Sequence, residues 1–251
     1  RIVRTDFLPT YHRYLANSAF TAGWVERLWN VPAEVLHPPV RPTVRPGTKR
    51  PLVVGLGRFF DPVHGHCKKQ LELVEAFDRL HRGGGADGWE LALIGGADAA
   101  NRDYALAVKR AALDTPVSVH LNAPGELVER LLGEASVFWH AAGFGEDPDR
   151  HPDRFEHFGI APVEAMAAGA VPVVFGAAGP AEIVQDGVSG RHWHDLDQLV
   201  EVTAGLIADP AARERLAEGA RARADDFTVD RFAAQLRSIV QADHVTPDQR
   251  T

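Results

Sequence analysis

Phe155-Glu156-His157-Phe158-Gly159-Ile160-Ala161-Pro162-Val163-Glu164-Ala165-Met166-Ala167-Ala168-Gly169-Ala170-Val171-Pro172-Val173-Val174 reads as loop, helix, glycine stop and buried strand. Pro162 suits a first helical turn, where its missing N–H has no partner to lose. Glu164 is then expected in that first turn, and Glu156 on the loop before it. Gly169 ends the helix behind the small residues Ala165, Ala167 and Ala168. The apolar, β-branched run 171–175 suits a strand covered on both faces. Two carboxylates thus flank a helix start whose free N–H groups favour an anion. Carboxylates repel an anion, so they make better sense as acceptors for hydroxyl groups carried beside it. A phosphate with sugars on either side meets both demands.

Outward from this stretch, strands and helices alternate. Residues 52–56, 90–94, 117–121 and 137–139 read as strands, and 70–81, 104–113 and 126–132 as helices. Helices are expected over 198–207, 211–224 and 229–241. Repeated βα units with short turns predict an α/β fold with a parallel sheet covered on both faces. Residues 1–40 form a small opening unit, with a strand near 14–18 and a helix over 20–29. Residues 41–50, rich in proline and without periodicity, read as a linker. The main domain is expected over 51–242 and an unstructured tail over 243–251.

Composition narrows the classes. The chain has 251 residues, 27 Lys and Arg against 34 Asp and Glu, and a net charge of −7. No basic stripe stands out, which argues against a nucleic-acid partner. No apolar run approaches the roughly 20 residues of a membrane span. From the polar start no signal peptide is expected, and a single cysteine, Cys67, suits a reducing compartment, so a cytoplasmic location is expected. The first residue is Arg1, so the chain reads as a piece of something longer.

The run 155–174 resembles the Glu-x7-Glu motif of retaining GT-B glycosyltransferases of family four. The resemblance covers nearly the whole chain but about half of a complete enzyme. It implies a Rossmann-like, doubly wound sheet that binds a nucleotide-diphosphate sugar, preceded by a remnant of the acceptor-binding domain. Asn17-Ser18 and Pro38-Pro39-Val40 resemble the crossover between the two. By the same resemblance Glu156 meets the transferred sugar, Glu164 holds the ribose hydroxyls, and the amides of Phe158, Gly159 and Ile160 face the diphosphate. Arg58 and Lys68 grip that diphosphate, with Lys69 the alternative to Lys68. No metal or other cofactor is implied. The acceptor is a sugar, lipid or small molecule, and the missing domain is where peripheral membrane contact would arise.

The residues support parts of this independently. Arg58 follows the first strand of the sheet in Gly55-Leu56-Gly57-Arg58, and ligands bind beyond the carboxyl ends of such strands. Gly57 lets the backbone approach a ligand. A dinucleotide fingerprint would place a glycine where Phe60 stands, which counts against a nicotinamide-binding protein. The base is expected beyond the strands ending at Gly95 and near Asn122. His140, at the end of another strand, has two readings: contact with sugar or phosphate, or packing under the 147–153 insertion. Glu182, in Gly179-Pro180-Ala181-Glu182, either stabilises the turn and helix start or faces the donor pocket. The acidic run 147–153 lacks the spacing of a calcium loop. His64-x-His66 and His192-x-His194 lack zinc-site partners. Without the partner domain, apolar surface is expected around Phe20, Trp24, Leu28 and Trp29 and on the last helix, with self-association through it.

Overall fold

The structure is a computed structural model that describes residues 5–41 and 43–245, with side chains as far as residue 241. The opening unit is β1 (Leu15–Ala16), α1 (Ala19–Trp29) and β2 (Glu34–Val35), with the two strands paired in parallel. The main sheet follows as β3 (Arg50–Leu56), α2 (Gln70–Arg82), β4 (Glu90–Gly95), α3 (Arg102–Ala111), β5 (Val117–Leu121), α4 (Gly125–Glu134) and β6 (Ala135–His140). It continues with α5 (Ile160–Ala167), β7 (Val171–Phe175), α6 (Ala178–Ile183) and β8 (Arg191–Trp193). Three helices close the chain: α7 (Leu196–Ala208), α8 (Pro210–Ala224) and α9 (Val229–Val245). β3 begins at Arg50, one residue inside the expected linker, and α9 runs into the expected tail. The remaining tail, residues 246–251, lies outside the described residues.

The six strands are all parallel, in the order β5-β4-β3-β6-β7-β8. Alternation along each strand builds two cores. Val53, Leu91, Leu93, Val137, Trp139 and Val173 pack with Leu73, Phe77, Val108 and Leu199 from α2, α3 and α7. Leu52, Val54, Ala92, Ile94 and Phe138 face the other way, against Leu131, Leu132 and Ala165 from α4 and α5. The indole N–H of Trp139 donates to the Thr203 hydroxyl at 3.0 Å, which removes the cost of burying both. The chain leaves β3 toward β4 and β5, then returns to add β6 on the other side. The carboxyl ends of β3 and β6 therefore diverge, and their crevice is where such a sheet binds ligands.

The signature helix closes as its glycine implies. Gly169 has φ +79°, its amide bonds the Met166 carbonyl at 2.9 Å, and the Ala170 amide bonds that of Ala165 at 2.9 Å. These two bonds are the Schellman pattern, with the orphan carbonyls satisfied. The start differs from expectation. Gly159, with φ +109°, caps a helix beginning at Ile160, so Pro162 is third and Glu164 fifth in the helix, in its second turn. The positive φ of a glycine lets the turn begin earlier than a reading centred on proline allows.

Short elements escaped the periodicity, the two-residue β2 among them. β8 has three residues and α6 has six, both too short to show a period. The opening unit is stitched to the main domain from several sides. The Val40 amide donates to the Phe227 carbonyl at 2.8 Å, and Gln235 of α9 donates to the Val35 carbonyl at 3.0 Å. Around α1 the expected apolar patch is partly covered. Phe20 packs on Phe155 and His157, Trp29 meets Phe7 edge-on, and Arg27 lies over Trp24. Leu28 stays 66% exposed. No helix among the described residues is long and apolar enough to cross a membrane.

Candidate active site

A cleft of about 420 Å³ opens at the β3/β6 divergence. One wall is Leu56, Gly57, Arg58 and Phe60, continued by His66 and Lys68 before α2. The other is Glu156 to Ala161, the loop and first turn of α5; Asn17 and Pro38 of the opening segment close one side. A wider depression of about 550 Å³ lies away from it, between β8, α7 and α8. That depression sits at the sheet edge, remote from the divergence, so the smaller cleft is the better candidate.

Lys68 and Glu156 form an ion pair across the cleft, with side chains 18% and 20% exposed. His140, buried behind them, has Nε2 3.3 Å from Glu156 Oε2, the same oxygen that Lys68 meets. Burial alone would raise the Glu156 carboxyl. The His140 bond and the Lys68 charge outweigh it and hold the group far below the usual carboxylate range. Glu156 is therefore an anion and an acceptor, so His140 Nε2–H donates. Burial lowers His140 in turn, which keeps the imidazole neutral. Its Nδ1 is buried without a hydrogen-bond partner among the described residues.

Arg58 is placed differently. Its guanidinium lies 4.3 Å from the centre of the Phe60 ring and makes no ion pair among the described residues. An aromatic face holds it without neutralising it, so its charge stays available to an anion. Phe158 and Gly159 donate no amide to a backbone carbonyl among the described residues, and the first amides of α5, including that of Ile160, have none within the helix. Two cationic side chains and a helix start thus converge on one cleft, an arrangement that binds phosphate groups.

Glu164 is half-buried, and its carboxylate has no hydrogen bond or ion pair among the described residues; burial raises its pKa. It sits one turn into α5, beyond the residues that line the cleft. Lys69 turns away from the cleft. It adopts φ +57°, is buried, and pairs with Glu146 at 2.7 Å; Arg154 holds the same carboxylate at 2.9 Å. Gly95 and Asn122 lie behind the wall. A Cβ on Gly95 would overlap the Gly57 carbonyl oxygen. Asn122 braces the β4 loop, accepting from the Ala97 amide at 3.0 Å and donating to its carbonyl at 3.1 Å.

Glu182 takes a structural role at a helix start, but the helix is α1 and not its own. Its two oxygens accept the amides of Ala19 and Phe20, each at 2.7 Å, and so cap α1 across the two units. Gly179, earlier in α6, packs on the carbonyls of His157 and Phe158 and donates its amide to Glu156 O at 3.0 Å. The α6 turn therefore braces the Glu156 loop and anchors the opening helix. Asn17, Pro38, Phe60 and His66 were missed as wall residues. His66 carried a faint signal, two positions from Lys68 in one loop; Asn17 carried none. Among the described residues no group of three or more His, Cys, Asp or Glu could hold a metal ion.

The sheet order and the cleft have counterparts among known proteins. Sucrose-phosphate synthase from Thermosynechococcus elongatus superimposes with a TM-score of 0.70 at 20% identity, over 91% of this chain and 57% of that one. Anabaena HepE in complex with UDP and glucose gives 0.72 at 18% identity, over 92% and 63%. These likenesses show the shared fold, the Rossmann-like half of GT-B glycosyltransferases. In sequence, a Dictyostelium discoideum GDP-Man:Man(3)GlcNAc(2)-PP-Dol alpha-1,2-mannosyltransferase is 24% identical over 247 residues, 90% of this chain and 46% of its own. A D-inositol 3-phosphate glycosyltransferase from Catenulispora acidiphila is 40% identical over 103 residues, 38% of this chain and 24% of its own. The chain spans less than half the length of either curated relative. The profile of the family described as glycosyl transferases group 1 matches residues 44–223, well over half of the chain, and the protein belongs to that family.

Proposed function

We propose that this chain is the donor-binding half of a retaining glycosyltransferase, which moves a hexosyl group from a nucleotide-diphosphate sugar to an acceptor hydroxyl. One observation carries the reading: an unpaired guanidinium, a lysine–glutamate pair and a helix start meet in a single cleft at the strand-order switch. Arg58, Lys68 and the amides of Phe158, Gly159 and Ile160 would hold the diphosphate beside Gly57. Glu156 would accept sugar hydroxyls, steadied by His140, and Glu164 ribose hydroxyls. Gly95 and Asn122 would shape the base end through backbone. Charge gathers on the leaving diphosphate as its bond to the sugar breaks, and fixed cations there stabilise the transition state. This residue set neutralises the diphosphate without calling on a metal. The acceptor, a sugar, lipid or small molecule, would approach from the side of the opening unit.

The relatives support the donor class, since one was captured with UDP and glucose and another is named for GDP-mannose. A second reading rests on the chain spanning under half the length of those curated relatives. On it, the chain binds donor but needs a separate acceptor domain for transfer. Calorimetric titration with UDP, GDP and ADP, then with their sugar conjugates, tests both. Binding of one nucleotide, weakened at least tenfold in Glu164→Ala, is expected. Binding without sugar release to water or acceptor would favour the second reading. No binding by any nucleotide would remove both.

A further inference from the structure

His66 stands in the loop before α2 and faces the cleft beside Lys68. Its Nε2 is 2.9 Å from Lys68 Nζ. An ammonium has protons to give and no lone pair, so Nε2 must accept and the ring proton must sit on Nδ1. The Asp153 backbone lies near the ring and favours a ring N–H. Lys68 thus has two acceptors of different kinds. Glu156 is charged, and its oxygens are what a ligand hydroxyl would compete for. His66 is neutral, and its lone pair serves Lys68 alone among the described residues.

We infer that His66 is a positioning residue for Lys68, whose imidazole lone pair keeps the ammonium at the cleft wall when it exchanges Glu156 for the diphosphate of a bound donor. The inference rests on the donor-binding reading above. A lysine on a flexible stem otherwise has many rotamers, and a second fixed acceptor reduces the entropy lost on gripping a phosphate. Protonation would convert this acceptor into a cation beside another cation. The groups that face His66 are Lys68 from its own loop, and Glu156, His157 and the Asp153 backbone from the segment before α5. Burial, and next the Lys68 charge, keep the ring neutral near neutral pH; Glu156 opposes them.

Two measurements test this. In the ligand-free protein, nitrogen NMR of the histidine rings at pH 8 should find His66 with its proton on Nδ1. A proton on Nε2 would overturn the inference whether or not any donor binds. Second, the affinity for the nucleotide-sugar that binds the parent is followed from pH 7.5 to 5. A diphosphate diester carries no proton of its own in that range, so a change reports the protein. The parent should weaken about tenfold on acidification, the worth of one hydrogen bond to a charged group. His66→Gln, whose carbonyl reaches the place of Nε2, should stay within about threefold of the parent at pH 7.5 and lose the acid decline. His66→Leu should be about tenfold weaker at pH 7.5. A Leu variant as tight as the parent, or a Gln variant with the same acid decline, would refute the role. A parent that binds no nucleotide-sugar would count against the donor reading, with the ring tautomer still deciding whether His66 serves Lys68.

Discussion

Replacing Glu182 by alanine should free the opening helix while leaving the sheet intact. The carboxylate accepts the amides of Ala19 and Phe20 at 2.7 Å each, and Ser18 adds a third cap to the Thr21 amide at 3.1 Å. Helix-cap losses centre on roughly 1 kcal/mol each. A charged acceptor makes more of each bond, whereas the 25% exposure of this side chain lets water replace part of it. About 2 kcal/mol on the docking of α1 is the resulting expectation. No residue of α1 is fully buried, so little apolar burial offsets that loss. Converted, this is roughly a 30-fold rise in the opening equilibrium. Hydrogen exchange should show it as faster exchange across 20–29, with β3 and β6 unchanged. Glu182→Gln, which keeps an oxygen but not the charge, should fall between. Unaltered protection in α1, or an equal loss in α1 and the sheet, would refute the reasoning. The same bond predicts an acid effect. Burial alone would raise the Glu182 carboxyl, but nearby His37 and the two amides lower it. A depressed folded value gives stability that is present above the unfolded value of about 4.3 and is lost as pH falls below it. The protection factors of α1, taken against the intrinsic exchange rate at each pH, should therefore fall with acid below that point, and not in the alanine variant.

Gly95→Ala should destabilise the whole domain by about 2 kcal/mol or more, read as a lower urea midpoint, because its Cβ would overlap the Gly57 carbonyl. Lys68→Met should weaken the acid dependence of stability. The lowered Glu156 carboxyl contributes stability above about pH 4.3 that is lost below it, and the variant removes one cause of that lowering, as urea melts from pH 6 to 3 would show. His140, lowered by burial, acts in a higher window: its contribution holds above about pH 6.5 and declines as pH falls, so His140→Gln should flatten that limb in the same melts. The exposed part of α1, with Leu28 at its centre, should drive self-association. Light scattering that finds a monomer at high concentration would remove that expectation.

The sheet was legible because its strands are short apolar runs and its helices carry a clear face, as in 70–81 with Leu71, Val74, Phe77 and Leu80. Glycine supplied the helix stop at Gly169, and the pairing of Arg58 with the Glu156 loop came from strand-end logic. The helix start was misplaced because Gly159 tolerates a backbone that no spacing rule reveals. Lys68 and Lys69 could not be told apart, since their divergence depends on a left-handed residue and a buried partner, Glu146, that stands 77 positions away. The cap from Glu182 to α1 spans 163 positions, and nothing local announces it. Asn17, two residues before the capped helix, reaches the cleft from that same junction.

The pairing of Lys68 with Glu156 has a consequence for what the cleft tolerates. Cells hold abundant small anions, and a bare lysine beside a guanidinium would collect them. Here an intruding phosphate must first take Lys68 from its carboxylate and strand that carboxylate, four-fifths enclosed, beside an incoming negative charge. Only a guest that brings hydroxyl groups with its charge relieves both partners at once. On the donor reading, such a cleft would favour guests that carry hydroxyl groups with their charge over simple anions, and would do so before any chemistry begins.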